Sequence, residues 1–241
     1  MEPIKTLTVP HLKGIEVGYR LSVAEVDHSK PTVVLFHPFT TTADYYLPEF
    51  KSSALLNVAN LLAVELLGHG RTRAKNAESF NYWDSAIMTL QLLDNLAIDK
   101  FIALGTSQGG WMAARMALIA PERVMGIVPI GSSMDYESSR SRELGCWNGP
   151  EATSALVELG GNFAPADDFE PGNDYNEFLM DVGYGKTVDE PTKAFWAKSL
   201  HDTYHGDEGK RRICMAAVAL AGRDGLLQRL PYIRCPVLWL Q

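Results

Sequence analysis

The segment from residue 105 to residue 110, Gly-Thr-Ser-Gln-Gly-Gly, combines a serine with closely spaced glycines. The apolar run 101–104 before it predicts a strand, and the residues from Gln108 onwards predict a helix. A serine on a tight strand-to-helix turn has a strained backbone, so the residues two positions before and after it must be small, and both are glycines. Such a turn exposes the Ser107 hydroxyl as a nucleophile and directs the backbone N–H of Gln108 towards a developing oxyanion. The pattern therefore predicts acyl transfer through Ser107.

The elements that must position this serine follow an alternating pattern of strands and helices. We predict strands at 7–9, 14–22, 32–36, 61–66, 101–104 and 124–130, and helices at 82–96 and 108–120. Strands separated by helices of this length form βαβ units, which predicts an α/β fold with a mostly parallel central sheet flanked by helices. Ligands of such sheets bind beyond the carboxyl ends of the strands, and Ser107 follows its strand at such an end.

The alternation stops in the middle of the chain and returns towards its end. Helical candidates follow at 152–159, 175–182 and 192–204, and then a helix at 207–222 and a strand at 236–240. We interpret this as an α/β core of residues 1–133 and 206–241, interrupted by a helical lid of residues 134–205. Met134 and Trp147 of the lid are candidate substrate-binding residues, and packing of the lid onto the sheet is their alternative role.

Three segments in the first half of the chain occur in an order that is shared with a known superfamily. They are His-Pro-Phe at 37–39, Leu-Leu-Gly-His-Gly-Arg-Thr at 66–72 and the serine turn at 105–110. In this order they resemble the α/β-hydrolase superfamily, whose members carry an oxyanion turn, a Gly-His-Gly loop and a nucleophile on a strand-to-helix turn. The resemblance covers residues 14–131 and implies a lid-bearing serine hydrolase without a metal or an organic cofactor.

The resemblance also implies roles for residues near the serine. The turn after the third predicted strand supplies the second oxyanion donor, and because Pro38 has no N–H, this donor is Phe39, with Thr40 as the alternative. The oxyanion hole then consists of the backbone N–H groups of Phe39 and Gln108. His69 is structural by the same resemblance, since the catalytic histidine of the superfamily follows the acid in chain order.

A serine nucleophile also needs a base, and the base needs an orienting acid. In the superfamily the acid follows the strand that residues 236–240 resemble, and the histidine follows a further strand, so both expected positions lie beyond Gln241. We therefore expect the natural protein to continue past this residue. The alternative is a complete chain in which Asp135 is the catalytic acid, and the competing interpretation of Asp135 is a helix N-cap.

The composition of the chain limits the classes of partner and the cellular compartment that we expect. The formal net charge of −7 and the pI near 5.4 disfavour nucleic acid and anionic membrane surfaces as partners. The N-terminus does not resemble a leader peptide, no apolar run reaches a membrane-spanning length, and three scattered cysteines indicate reduced thiols. We expect a cytoplasmic protein that binds a small molecule and neither nucleic acid nor membrane. The sequence carries no signal for an oligomeric state.

These observations together predict an esterase-type serine hydrolase. We expect it to cleave an ester, thioester or lactone of a hydrophobic small molecule through an acyl-enzyme on Ser107, without a cofactor. One alternative is a non-hydrolytic relative that catalyses cyclisation or rearrangement of a metabolite. Another is a ligand-binding protein without turnover, since one fold supports many functions.

Overall fold

A computed structural model describes residues 2–77, 79–135, 138–146, 148, 151, 153–160, 164, 166–185 and 187–241. The strands are β1 Lys5–Val9, β2 Ile15–Leu21, β3 Thr32–Phe36, β4 Asn60–Val64, β5 Phe101–Thr106 and β6 Val124–Ile130. The helices are α1 Ser53–Leu56, α2 Tyr82–Asn95, α3 Gln108–Ile119, α4 Ser139–Glu143, α5 Ser154–Gly160, α6 Asn173–Tyr184, α7 Glu190–Tyr204 and α8 Gly206–Ala221. Short 3-10 helices lie at His11–Lys13, Ala43–Tyr46, Glu49–Lys51 and Leu227–Tyr232.

The strands form one mixed sheet in the order β1-β2-β4-β3-β5-β6. β2 is antiparallel to both β1 and β4, whereas β4, β3, β5 and β6 are parallel to one another. The predicted strand at 236–240 runs parallel to β6, which it meets at two isolated bridges, Ile127 with Val237 and Ile130 with Leu240. The mostly parallel sheet flanked by helices that the sequence predicts is therefore confirmed.

The two faces of the sheet bury separate hydrophobic clusters. Leu62 and Val64 of β4 join the larger cluster, to which α2 and α3 contribute. Leu61 and Ala63 join a smaller cluster with residues of the short 3-10 helices that follow β3. Because successive side chains of a strand point to opposite faces, the continuous apolar run of β4 is buried on both sides.

Strand register determines which loops meet at the carboxyl edge of the sheet. β3 and β5 pair in parallel with Phe36 opposite Gly105, so both strands end at the same level. The residues that follow β3 therefore lie beside Ser107, which follows β5.

The helices between β6 and α8 pack beyond this edge. α6 and α7 pack against each other, and α7 packs against α8. Leu200 and Tyr204 of α7 form a buried cluster with Ile213 and Cys214 of α8. The helical candidates of the predicted lid overlap with α5, α6 and α7, while the division of the chain into a core and a lid stays a prediction. Within the described ranges, no helix has both the length and the hydropathy that a membrane span requires.

Candidate active site

Ser107 has a strained backbone at the junction of β5 and α3. Its φ is 54° and its ψ is −116°, a combination that non-glycine residues rarely adopt. Two hydrogen bonds hold this conformation: Ser107 N–H donates to the carbonyl of Ile130 at 2.8 Å, and the Ser132 hydroxyl donates to the Ser107 carbonyl at 2.6 Å. Ile130 is the last residue of β6 and Ser132 lies two residues after it, so the neighbouring strand and the segment that follows it fix the turn.

One glycine lies two residues before Ser107 and another lies two residues after it, and both permit very close backbone contacts. A Cβ atom on Gly105 would lie 2.0 Å from the carbonyl oxygen of Gly109. A Cβ atom on Gly109 would lie 1.9 Å from the carbonyl oxygen of Phe36, the last residue of β3. The absence of these two side chains therefore lets the first turn of α3 rest directly on the ends of β5 and β3.

The turn at residues 38–41 lies next to Ser107 and carries the second predicted oxyanion donor. Thr41 N–H donates to the Pro38 carbonyl at 3.3 Å, and Thr40 has a φ of 56°. Neither the N–H of Phe39 nor the N–H of Gln108 donates to a group in the described residues. Phe39 and Ser107 line the same cavity, and Gln108, the residue after Ser107, begins α3. That these two N–H groups act as oxyanion donors stays a prediction.

The side chain of Gln108 is held in a buried hydrogen-bond chain. The Tyr82 hydroxyl donates to Gln108 Oε1 at 3.1 Å, and Gln108 Nε2 lies 3.3 Å from His69 Nε2. His69 Nδ1 lies 2.9 Å from the carbonyl oxygen of Leu67. These contacts fit a neutral imidazole that donates through Nδ1 and accepts through Nε2. His69 therefore links the loop after β4 to the start of α3.

His37 is fixed in the same manner. Its Nε2 accepts the N–H of Leu66 at 3.1 Å, and its Nδ1 lies 2.8 Å from the carbonyl oxygen of Pro38. Burial lowers the pKa of His37 to about 4 and holds the pKa of His69 well below its usual range. Both imidazoles are thus neutral, and their ring nitrogens are engaged by protein groups.

Asp135, the alternative candidate for the acid, lies between β6 and α4. Its Oδ2 accepts the Ser138 hydroxyl at 2.5 Å, and Ser138 in turn caps α4 by accepting the N–H of Ser141. The N-cap residue of α4 is therefore Ser138, and Asp135 supports it. Within the described residues no histidine contacts the Asp135 carboxylate. Its catalytic role stays a prediction.

A cavity of about 390 Å³ opens beside Ser107. The 38–41 turn and the end of β5 form one wall, and α6 and α7 form the other. Six of the described aromatic residues contribute to the lining: Phe39, Tyr45, Tyr175, Phe178, Tyr184 and Trp196. Among the described residues that line the cavity there is no Lys, Arg, Asp, Glu or His. The site therefore presents apolar surface and hydroxyl groups to a ligand but no formal charge.

Only one of the two predicted substrate-binding residues lies within the described residues, and it is not at the cavity. Met134 is completely buried in the main hydrophobic cluster and does not line the cavity. Trp147 lies outside the described residues. The sequence analysis did not identify Tyr45, Tyr175 and Tyr184 as cavity-lining residues, because no local pattern indicates which side chains of these segments face Ser107.

The α/β hydrolase fold family model matches residues 31–151, about half of the chain. The chain belongs to this family. The matched region includes both the 38–41 turn and Ser107, so the predicted family resemblance is confirmed.

Two curated relatives illustrate the range of α/β hydrolases that the chain resembles. The putative carbamate hydrolase RutD of Stutzerimonas stutzeri is 30% identical over 112 residues, which are 46% of this chain and 42% of that protein. A putative 2-succinyl-6-hydroxy-2,4-cyclohexadiene-1-carboxylate synthase of Bacillus subtilis is 30% identical over 119 residues, 46% of this chain and 40% of that protein. The aligned part thus spans less than half the length of either relative.

Solved structures share the fold over almost the whole chain. A probable hydrolytic enzyme from Pseudomonas aeruginosa PAO1 superposes with a TM-score of 0.75 at 15% identity, covering 98% of this chain and 72% of that one. A structure described with carboxylesterases of the thaumarchaeon Nitrososphaera gargenis has a TM-score of 0.73 at 21% identity, covering 98% and 79%. At this identity the likeness shows the α/β hydrolase fold.

The close contact between Gly109 and the backbone of Phe36 predicts that a larger residue at position 109 destabilises the protein. In Gly109→Ala the new methyl group meets the backbone of Phe36, so β3 and α3 must separate. We expect the free energy of unfolding to fall by about 2 kcal/mol in urea denaturation. Gly183→Ala, which meets no atom within 4 Å, is the matched control and should be neutral or stabilising. Equal effects of the two substitutions would contradict the close contact.

The buried histidines predict a loss of stability in acid. The pKa of His37 is about 4 in the folded state and near 6.5 in the unfolded chain, so between these values the unfolded state binds more protons. The stabilisation is complete above pH 6.5 and is lost as the pH falls towards 4, by about 3 kcal/mol for His37. His37→Asn should therefore flatten the dependence of unfolding free energy on pH, whatever its effect at pH 7. The exposed His28→Asn is the control, and an unchanged slope in His37→Asn would refute the prediction.

Proposed function

We propose that this protein is a serine hydrolase that cleaves an ester, thioester or lactone of a neutral, largely apolar small molecule. One observation carries the proposal: the strained Ser107 lines a cavity without charged side chains, together with Phe39, and the N–H groups of Phe39 and Gln108 donate to no group in the described residues. A nucleophile and oxyanion donors at one site are the requirements of acyl transfer.

The proposed reaction has two steps. Ser107 Oγ attacks the carbonyl carbon, and the negative charge that develops on the carbonyl oxygen is stabilised by the N–H groups of Phe39 and Gln108. Collapse of this intermediate breaks the bond to the leaving alcohol or thiol and leaves an acyl group on Ser107. Water then adds to the acyl-enzyme and releases the carboxylic acid and the free serine.

The proton of the Ser107 hydroxyl must pass to a general base. Among the described residues that line the cavity there is no histidine. His37 and His69 lie near Ser107 but use both ring nitrogens for protein contacts. We therefore assign neither of them as the base. We propose instead that both stabilise the segments on which the oxyanion donors lie.

The helices that close the cavity support the proposal of a lid at residues 134–205. Tyr175, Phe178 and Tyr184 of α6 and Trp196 of α7 face the serine across the cavity. A ligand bound to Ser107 would be enclosed by these helices, which exclude water and select its shape. The names of relatives and structural neighbours, which include a hydrolase and carboxylesterases, are in keeping with this function.

Replacing the nucleophile tests the proposed chemistry. Ser107→Ala should lower the hydrolysis of p-nitrophenyl butyrate by at least about 10³-fold, because no other group forms the acyl-enzyme. A fluorophosphonate probe should modify the unaltered protein at Ser107, located by peptide mass spectrometry, and should leave Ser107→Ala unmodified. The exposed Ser29→Ala is the matched control. Hydrolysis that persists in Ser107→Ala, or an adduct on another residue, would refute the proposal.

The uncharged lining predicts discrimination against charged substrates. An ester with a carboxylate at the end of its acyl chain would bury a charge without a cationic partner. We expect kcat/KM for a p-nitrophenyl hemisuccinate to be at least about 100-fold below that for the neutral butyrate, which corresponds to about 3 kcal/mol. Comparable values for the two esters would show that the acyl chain does not enter this cavity.

A further inference from the structure

Thr40 adopts a backbone conformation that its side chain disfavours. Its φ of 56° lies in the left-handed region, where a β-branched residue is strained. The residue is buried, and it follows Phe39, one of the two proposed oxyanion donors, in the 38–41 turn. A strained residue persists only where its surroundings hold it, so other groups must fix this turn.

Two hydrogen bonds of the Thr40 hydroxyl identify those groups. Thr40 Oγ1 donates to the carbonyl oxygen of Phe39 at 2.8 Å. The hydroxyl of Tyr175 lies 3.2 Å from the same Oγ1. Because a hydroxyl has one proton and Thr40 gives its own to Phe39, Tyr175 is the donor in the second bond. The chain of bonds thus runs from Tyr175 through Thr40 to the backbone of Phe39.

Tyr175 brings this bond from a distant part of the chain. It lies in α6, 135 residues beyond Thr40, and its ring packs against the buried cluster of Leu200, Tyr204, Ile213 and Cys214. Burial raises the pKa of its phenol, so the donor keeps its proton at neutral pH. The hydroxyl is therefore held at a fixed position by the same helices that close the cavity.

We propose that Tyr175 is a positioning residue for the oxyanion hole: its hydroxyl holds Thr40 and, through the Thr40 hydroxyl, the carbonyl of Phe39, and so fixes the 38–41 turn that carries the Phe39 N–H. The proposal rests on the proposed function of Ser107. It implies that the oxyanion hole is complete only while α6 is seated, because displacement of α6 removes the donor and lets the turn relax. Closure of the cavity and activation of the carbonyl group are thereby coupled through one hydrogen bond.

A double-mutant cycle tests this role on the hydrolysis of p-nitrophenyl butyrate. Tyr175→Phe keeps the ring and removes the hydroxyl, and we expect kcat to fall about tenfold with KM changed less than twofold, since the hole acts on the transition state. Thr40→Gly has no hydroxyl and adopts a positive φ without support. In that background Tyr175→Phe should change kcat less than twofold. Thr40→Ser keeps the hydroxyl and should keep the full dependence on Tyr175.

A second measurement distinguishes an effect of Tyr175→Phe on the oxyanion hole from an effect on the packing of α6. An alkyl trifluoromethyl ketone adds to the serine and forms an oxyanion, so its affinity should fall in Tyr175→Phe by the same factor as kcat. Tyr232→Phe, at a residue that is 69% exposed, is the matched control. A tyrosine that only packs would instead raise KM, or would lower kcat equally in the Thr40→Gly background, and either result overturns the proposal.

The outcomes also separate this inference from the proposed function. If Ser107→Ala hydrolyses the ester as fast as the unaltered protein, the proposed function is overturned and this inference with it. If hydrolysis is lost in Ser107→Ala but kcat is unchanged in Tyr175→Phe, the inference alone is overturned. Thermal unfolding of each variant establishes that a lower kcat does not reflect a smaller folded fraction.

Discussion

The backbone of α3 rests on the end of β3, and this contact determines the geometry of the whole site. The carbonyl of Phe36 occupies the space that a side chain on Gly109 would fill. The parallel pairing of β3 with β5 brings the two strand ends to the same level, and the contact then places Ser107 beside the 38–41 turn. The strained backbone of Ser107 persists because Ile130, the last residue of β6, and Ser132, which follows that strand, both hydrogen-bond to it.

Buried polar groups around this contact are held in defined, mostly neutral states. His37 and His69 pack with their ring centroids 5.0 Å apart, and burial keeps both uncharged. Glu65 at the end of β4 is also buried, and desolvation raises its pKa although it accepts the N–H of Arg71 at 2.6 Å. In a medium of low dielectric constant, satisfied neutral groups fix loops without the cost of burying charge. These contacts hold the 38–41 turn and the start of α3, which carry the proposed oxyanion donors.

The sheet and the helices that follow β6 contribute different parts of the site. The segments that follow β3 and β5 supply Ser107 and the two N–H groups. These N–H groups belong to the backbone and do not depend on side-chain identity. α6 and α7 supply four of the six described aromatic residues of the lining, on which the proposed preference for neutral, apolar ligands depends. The hydrogen bond between Tyr175 and Thr40 joins the two parts. In the proposed function the helices therefore affect both which ligand is bound and the geometry of the turn beside the serine.

The sequence by itself determined the alternation of strands and helices and the serine turn, because each follows from residues that are neighbours in the chain. It also determined the family, through the order of three short motifs along the chain. Periodicity predicted α2 as 82–96, and the structure has Tyr82–Asn95. The tertiary structure alone decided which side chains line the cavity, and it placed Met134 in the core. It also decided that Thr40 meets Tyr175, 135 residues away. The physical reason is that such contacts depend on the register of the sheet and the packing of α6 to α8, and no local pattern encodes either.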